Sequence, residues 1–164
     1  GAEGKSLTMA LELSGAGETI EQVFRRAGEN LSKAKASDKD CIHVLGRTIE
    51  WKHLTDAMEL KDSLVRMVSD FGVPPETIRE LQSLYRETQG ARGGRRTRVE
   101  RPWRYHRRVN RVLETGRGRD FQKLRSSVVA DLIGKNPTNV KLRPSGRVAL
   151  EWARLATDSG IENQ

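Results

Sequence analysis

The chain has 164 residues, 35% of them apolar and 32% charged, with a net charge of +8; that suffices for one domain, or one core with an appendage, if the apolar residues are concentrated. A single cysteine, Cys41, excludes an internal disulfide framework and suits a reducing compartment. No apolar run approaches the roughly 18 residues of a membrane span and no signal peptide is legible, so the cytoplasm or nucleus is the expected location and a membrane is not an expected partner.

The charge is unevenly placed. Arg92 to Arg125 carries thirteen basic and three acidic residues, +10, which leaves −2 for the remainder. A near-neutral body with one basic band is the asymmetry of a protein that binds nucleic acid or another anionic surface.

Residues 1–8 precede Met9, which reads as a natural start, so they are expected to be a leader or an expression remnant. Residues 9–17, with Ser14, Gly15 and Gly17, read as a loose lead-in. From Glu18, the residues Ile20, Val23, Phe24, Ala27 and Leu31 recur at threes and fours and predict an amphipathic helix ending near Ala36. Ser37 then reads as an N-cap, with Asp38 and Asp40 in the first turn of a second helix that runs to Phe71 before Gly72 and Pro74-Pro75.

That second helix, over 38–71, is the longest predicted element, about 50 Å at 1.5 Å per residue. Ile42, Leu45, Ile49, His53, Ala57, Leu60, Leu64, Met67 and Phe71 form its apolar stripe, and Trp51, Leu54, Met58, Val65 and Val68 widen it. Its length exceeds what the neighbouring helices would cover. A homodimer through Trp51, Leu54, Met58, Leu60, Leu64 and Met67 is therefore expected, with His53 as a hydrogen-bonded core or interface histidine. A third helix is predicted over 76–89, ended by Gly90, Gly93 and Gly94. Residues 9–90 are taken as the helical core and dimerisation region, and 91–160 as a basic nucleic-acid-binding region.

The segment RRTRVERPWRYHRRVNR, residues 95–111, holds eight arginines in seventeen positions. Wound as a helix from Pro102, over about 102–115, Arg104, Arg107, Arg108 and Arg111 fall in a sector of about 100°, while Tyr105, Val109, Val112 and Leu113 take the adjoining one. The separation predicts a docked helix with an outward arginine ridge. Guanidinium groups are permanently charged and can make two parallel hydrogen bonds to phosphate oxygens, and phosphate contacts supply affinity without sequence readout. The nucleic-acid-binding residues are accordingly Arg95, Arg96, Arg98, Arg101, Trp103, Arg104, Arg107, Arg108 and Arg111, with Arg117, Arg119, Lys123 and Arg125 extending the track. Trp103 is the candidate for stacking on unpaired bases, which favours RNA over DNA; a row of phosphate-binding arginines equally suits double-stranded RNA.

Two further helices are predicted, Phe121 to Ile133 and one capped by Ser145, around GKNPTNVKLRPS. The predicted fold is thus all-α: a helical bundle with one long central helix, an arginine-rich amphipathic helix and two C-terminal helices. Nothing in the sequence reads as a catalytic set. Cys41 and His43, two apart on a presumed helix, point to different sides, and Glu50 with His53 is half of a di-iron spacing without its second copy. No metal, no cofactor and no enzymatic activity are expected. The expected function is non-enzymatic RNA binding, sequestering or packaging RNA, a composition also met in virus-encoded proteins. One alternative is a DNA-binding regulator using residues 119–158, in which Lys135, Lys141, Arg143 and Arg147 would approach the backbone. The other is an adaptor whose basic band meets an acidic protein.

Overall fold

Residues 41–50 contain Ile42, Val44, Thr48 and Ile49, β-branched side chains that favour a pleated surface, on either side of Leu45-Gly46. In the computed structural model they form a hairpin of two strands, Cys41–Val44 and Arg47–Glu50. Leu45 and Gly46 both have positive φ, 50° and 79°, as the two central residues of a type I′ turn require. The described residues are 6–37, 40–87 and 101–161, and the chain divides into two compact units, Gly1–Asp56 and Ala57–Gln164.

The first unit is built on three strands. β1 (Met9–Leu11) is followed by α1 (Ile20–Ser37), β2 (Cys41–Val44), β3 (Arg47–Glu50) and a 3₁₀ turn, Trp51–His53. The sheet order is β1-β2-β3, with β1 parallel to β2 and β2 antiparallel to β3. The all-α expectation is corrected by this mixed sheet, and the long helix over 38–71 with it. Ile42 and Ile49, seven apart and thus on one face of the expected helix, are instead cross-strand partners. A spacing of seven satisfies a helix stripe, and a two-residue turn gives the same pair a direct contact across a hairpin.

Thr19 and Gln22 start α1 with a capping box: Thr19 Oγ1 accepts the Gln22 N–H at 3.2 Å and Gln22 Oε1 accepts the Thr19 N–H at 3.0 Å. The helix meets the sheet through polar groups. Arg26 Nε donates to Glu12 Oε2 at 2.9 Å and Arg26 Nη2 to Glu18 Oε2 at 3.1 Å, and Asn30 Nδ2 donates to Glu12 Oε1 at 2.6 Å. These contacts hold the Glu18 carboxyl down at about 2, chiefly through its bond to Arg26, and push the Arg26 guanidinium up. Leu7, within the expected leader, is tied into the unit, since its N–H donates to Asp40 Oδ1 at 3.0 Å and its carbonyl accepts Trp51 Nε1–H at 2.8 Å.

α2 (Leu54–Ser69) opens at the end of the first unit, and the second unit continues with α3 (Glu76–Glu87), α4 (Pro102–Val112), α5 (Arg119–Ile133) and α6 (Pro144–Ile161). From α3 onward its helices match the predicted ones to within a few residues, whereas α2 keeps only the later part of the predicted 38–71. α3 packs against α6 and α4, and α4 against α5. Leu64, Met67, Ile78, Leu81, Phe121, Val128, Ile133 and Val148 are buried in this unit. Tyr85, on α3, donates its hydroxyl to the Leu132 carbonyl, and burial pushes its pKa up. A Cβ at Gly146 would collide with that same hydroxyl, so α3 and α6 meet closely only because residue 146 has no side chain. Among the described residues no helix is long and apolar enough to cross a membrane.

The hairpin turn generates a test. A leucine in the left-handed region costs roughly 1–2 kcal/mol, so Leu45→Asn, which tolerates that conformation, is expected to stabilise the protein by about 1 kcal/mol. A rise in the urea midpoint at unchanged slope would show it.

Candidate nucleic-acid interface

Helix α4 has the two faces its sequence predicts. Tyr105, Val109 and Leu113 are buried and Val112 is half-buried, while Arg104, Arg107, Arg108 and Arg111 are exposed. Pro102 occupies the first turn, where its missing N–H costs nothing. Arg101 precedes it in a left-handed conformation, φ 54°, and its carbonyl accepts the N–H groups of Arg104 at 3.0 Å and Tyr105 at 3.4 Å. Arg101 is itself exposed.

The far end of α4 is pinned by α5. Arg125 Nη2 donates to the Asn110 carbonyl at 2.9 Å and to Asn110 Oδ1 at 3.3 Å, and its Nη1 donates to Gln122 Oε1 at 3.1 Å. Asn110 Nδ2 in turn donates to the His106 carbonyl at 2.9 Å. A guanidinium against carbonyls in the last turn of a helix is favoured by the helix dipole. Arg125, grouped in the sequence with the phosphate contacts, thus directs its Nη groups inward and holds the ridge in place. Asn110 carries no sequence signal of this role, because one polar residue between Val109 and Arg111 leaves no periodic pattern.

The turn between the two helices depends on Gly116. A Cβ there would lie 2.5 Å from the Phe121 ring, and Phe121 is fully buried with its ring 5.5 Å from that of Phe71. The short link from α4 to α5 therefore passes over an aromatic face that admits only glycine.

The ridge differs from those arginines of the chain that are paired with acids. Arg25, Arg66, Arg79 and Arg154 each have a carboxylate oxygen within 3.9 Å, as does Arg26 with Glu12. Arg104, Arg107 and Arg111 form no ion pair among the described residues. Trp103 is 51% exposed, with the Arg104 guanidinium carbon 5.0 Å from its ring centroid. Arg117, Arg119 and Lys123 are also exposed; at 100° per residue Arg119 and Lys123 share the side of α5 opposite buried Phe121. Arg95, Arg96 and Arg98 lie outside the described residues.

The residues expected at a dimer seam are dispersed. Leu60, Leu64 and Met67 are at most 3% exposed within a single chain, so they are core residues and are not available to a partner. Trp51 and Leu54 are half-buried, and Met58 alone of the six is exposed. His53 is corrected as well: it is exposed, with Nδ1 3.3 Å from Asp56 Oδ2, instead of lying on a buried stripe. Cys41 and His43 alternate on β2 and so share a face, contrary to the helical expectation. His43 Nδ1 lies 2.9 Å from Thr48 Oγ1, and burial above all pulls its pKa down. Among the described residues no three His, Cys, Asp or Glu side chains are grouped to hold a metal ion.

Gly116→Ala is expected to destabilise the protein by roughly 1–3 kcal/mol, the usual cost of forcing a methyl into a packed site, whereas Arg107→Gln should change stability by no more than about 0.5 kcal/mol. Urea denaturation of the two variants makes the comparison.

No known protein family matches the chain, and no curated protein or solved structure has significant similarity to it.

Proposed function

We propose that this is a non-enzymatic RNA-binding protein of the cytoplasm or nucleus that grips the phosphate backbone with the arginine ridge of α4 and thereby sequesters or packages RNA. One observation carries the reading: a helix seated by Tyr105, Val109 and Leu113 presents Arg104, Arg107 and Arg111 outward with no carboxylate paired to them among the described residues. Arginines that serve only a solvated surface are usually interleaved with acids, as Arg25, Arg66 and Arg154 are here. Unpaired guanidinium groups on a fixed scaffold suit phosphate oxygens, because their counterions are released on binding and little ordering of the backbone remains to oppose it. Exposed Trp103 beside Arg104 supports RNA over duplex DNA, since an aromatic face at the edge of a phosphate track can stack on an unpaired base.

The test is titration of single-stranded RNA, double-stranded RNA and double-stranded DNA of one sequence across salt concentration, for the native chain and for Arg104, Arg107, Arg108 and Arg111 all changed to Gln. The native chain is expected to prefer RNA. The variant is expected to bind at least tenfold more weakly and to lose about three units of the slope of log affinity against log salt, the contribution of four phosphate contacts. Equal binding by both proteins, or preference for duplex DNA, would overturn the reading.

A further inference from the structure

Two of the three tryptophans have evident structural work. Trp51 is half-buried and donates its Nε1–H to the Leu7 carbonyl at 2.8 Å, and Trp152 is half-buried with the Lys61 ammonium 4.9 Å from its ring centroid. Trp103 differs from both. It is 51% exposed, and among the described residues its Nε1–H has no hydrogen-bond acceptor. Nor does it help to seat α4, because at 100° per residue it lies about 160° around the helix from Tyr105 and about 120° from Val109.

Trp103, Arg107 and Arg111 instead form one row, each four residues after the last, with steps of about 6 Å along the axis and about 40° around it. All three are exposed, and neither arginine forms an ion pair among the described residues. The Arg104 guanidinium carbon, 5.0 Å from the Trp103 centroid, braces the indole from one side. An open aromatic plane in line with two guanidinium groups fits a ligand in which flat rings and anions follow one another along a chain. A single nucleic-acid strand has that makeup, and when stacked it advances about 3.4 Å per nucleotide, so successive nucleotides can follow the row. A duplex does not fit as well. Its base faces are closed against one another, and it offers an indole only backbone and base edges. The arginines could be satisfied by either form, whereas Trp103 distinguishes them.

We infer that Trp103 is a base-stacking subsite, in which an unpaired RNA base lies on the ring face away from Arg104 and the adjoining phosphates run along Arg107 and Arg111. The ligand of α4 is then single-stranded RNA and not a duplex. This subsite rests on the RNA-binding reading and narrows its ligand, and it depends on the bases, whereas the arginine grip does not.

Fluorescence anisotropy of the full chain with three probes tests it: a short unstructured RNA strand, the duplex of that strand with its complement, and a ribose-phosphate strand of equal length without bases. The duplex has the higher charge density, so arginines acting alone would favour it. The native chain is expected to bind the strand more tightly than the duplex, and about tenfold more tightly than the base-free strand. Trp103→Leu should abolish that tenfold difference while leaving the slope of log affinity against log salt unchanged, and Trp103→Phe should restore most of it. The native indole fluorescence should be quenched saturably by the strand, and the quenching should be absent in Trp103→Phe, which retains Trp51 and Trp152. Circular dichroism verifies that both variants remain folded. Duplex bound as tightly as the strand, base-free strand bound as tightly as RNA, or unchanged affinity in Trp103→Leu would each overturn the subsite. If such a result came with loss of binding when Arg104, Arg107, Arg108 and Arg111 are changed to Gln, the phosphate grip would stand without it; no binding of any probe would end both.

Discussion

An isolated helix of eleven residues is marginal in water, and one carrying Arg104, Arg107, Arg108 and Arg111 also has self-repulsion to overcome. What α4 depends on is the burial of Tyr105, Val109 and Leu113 against the second unit. Each buried side chain of this size contributes roughly 1.5–3 kcal/mol, against a few tenths of a kcal/mol for each like-charge pair on a helix face. Packing therefore wins, and the repulsion becomes a property of the surface. Once the apolar sector is fixed, the 3.6-residue period leaves the arginines no direction except outward.

Several features elsewhere in the unit serve that same seating. Gly116 lets the chain turn over Phe121, and Arg125 holds the carbonyl of Asn110 near the end of α4. Gly146 allows α3, on which α4 packs, to approach α6, where Gln82, Glu151 and Arg154 form a connected polar group. The first unit solves a different problem. With one helix on a three-stranded sheet it has little apolar volume, and it joins α1 to β1 through Glu12, Arg26, Asn30 and Glu18. Turning Glu12 inward is also what strips the β1 edge of charge, so one local solution leaves an apolar surface as its consequence.

The helical half of the fold was legible because its signals are local and redundant. Pro102, the alternation of Arg and apolar sectors, and the Gly and Pro stops at 116, 134 and 137 each point to the same elements. The sheet was missed for a physical reason. Ile42, Leu45, Ile49 and His53 step by threes and fours, and a hairpin with a two-residue turn reproduces that spacing through cross-strand pairing. The informative signal was composition: Cys-Ile-His-Val and Arg-Thr-Ile-Glu around Leu-Gly are short β-branched runs with a turn between them. The same holds for Leu7, Met9, Leu11 and Leu13, whose strict alternation identifies an extended edge although two of the four lie outside β1 itself. At the candidate site, the exposed ridge residues were readable from phase alone, whereas Arg125 and Asn110 were not, since only the packing of α5 on α4 sets their partners.

The central claim is the proposal that Arg104, Arg107 and Arg111 of α4, which form no ion pair among the described residues, take up phosphate, while Arg26, Arg79 and Arg154 stay committed to carboxylates. Nitrogen NMR of the arginine Nε–H groups, recorded as a short RNA is added, tests it most directly. The account predicts that the Arg104, Arg107 and Arg111 signals shift and saturate together, while those of Arg26, Arg79 and Arg154, each already bonded to an acid, stay in place. Saturable binding in which the α4 signals do not move would contradict it.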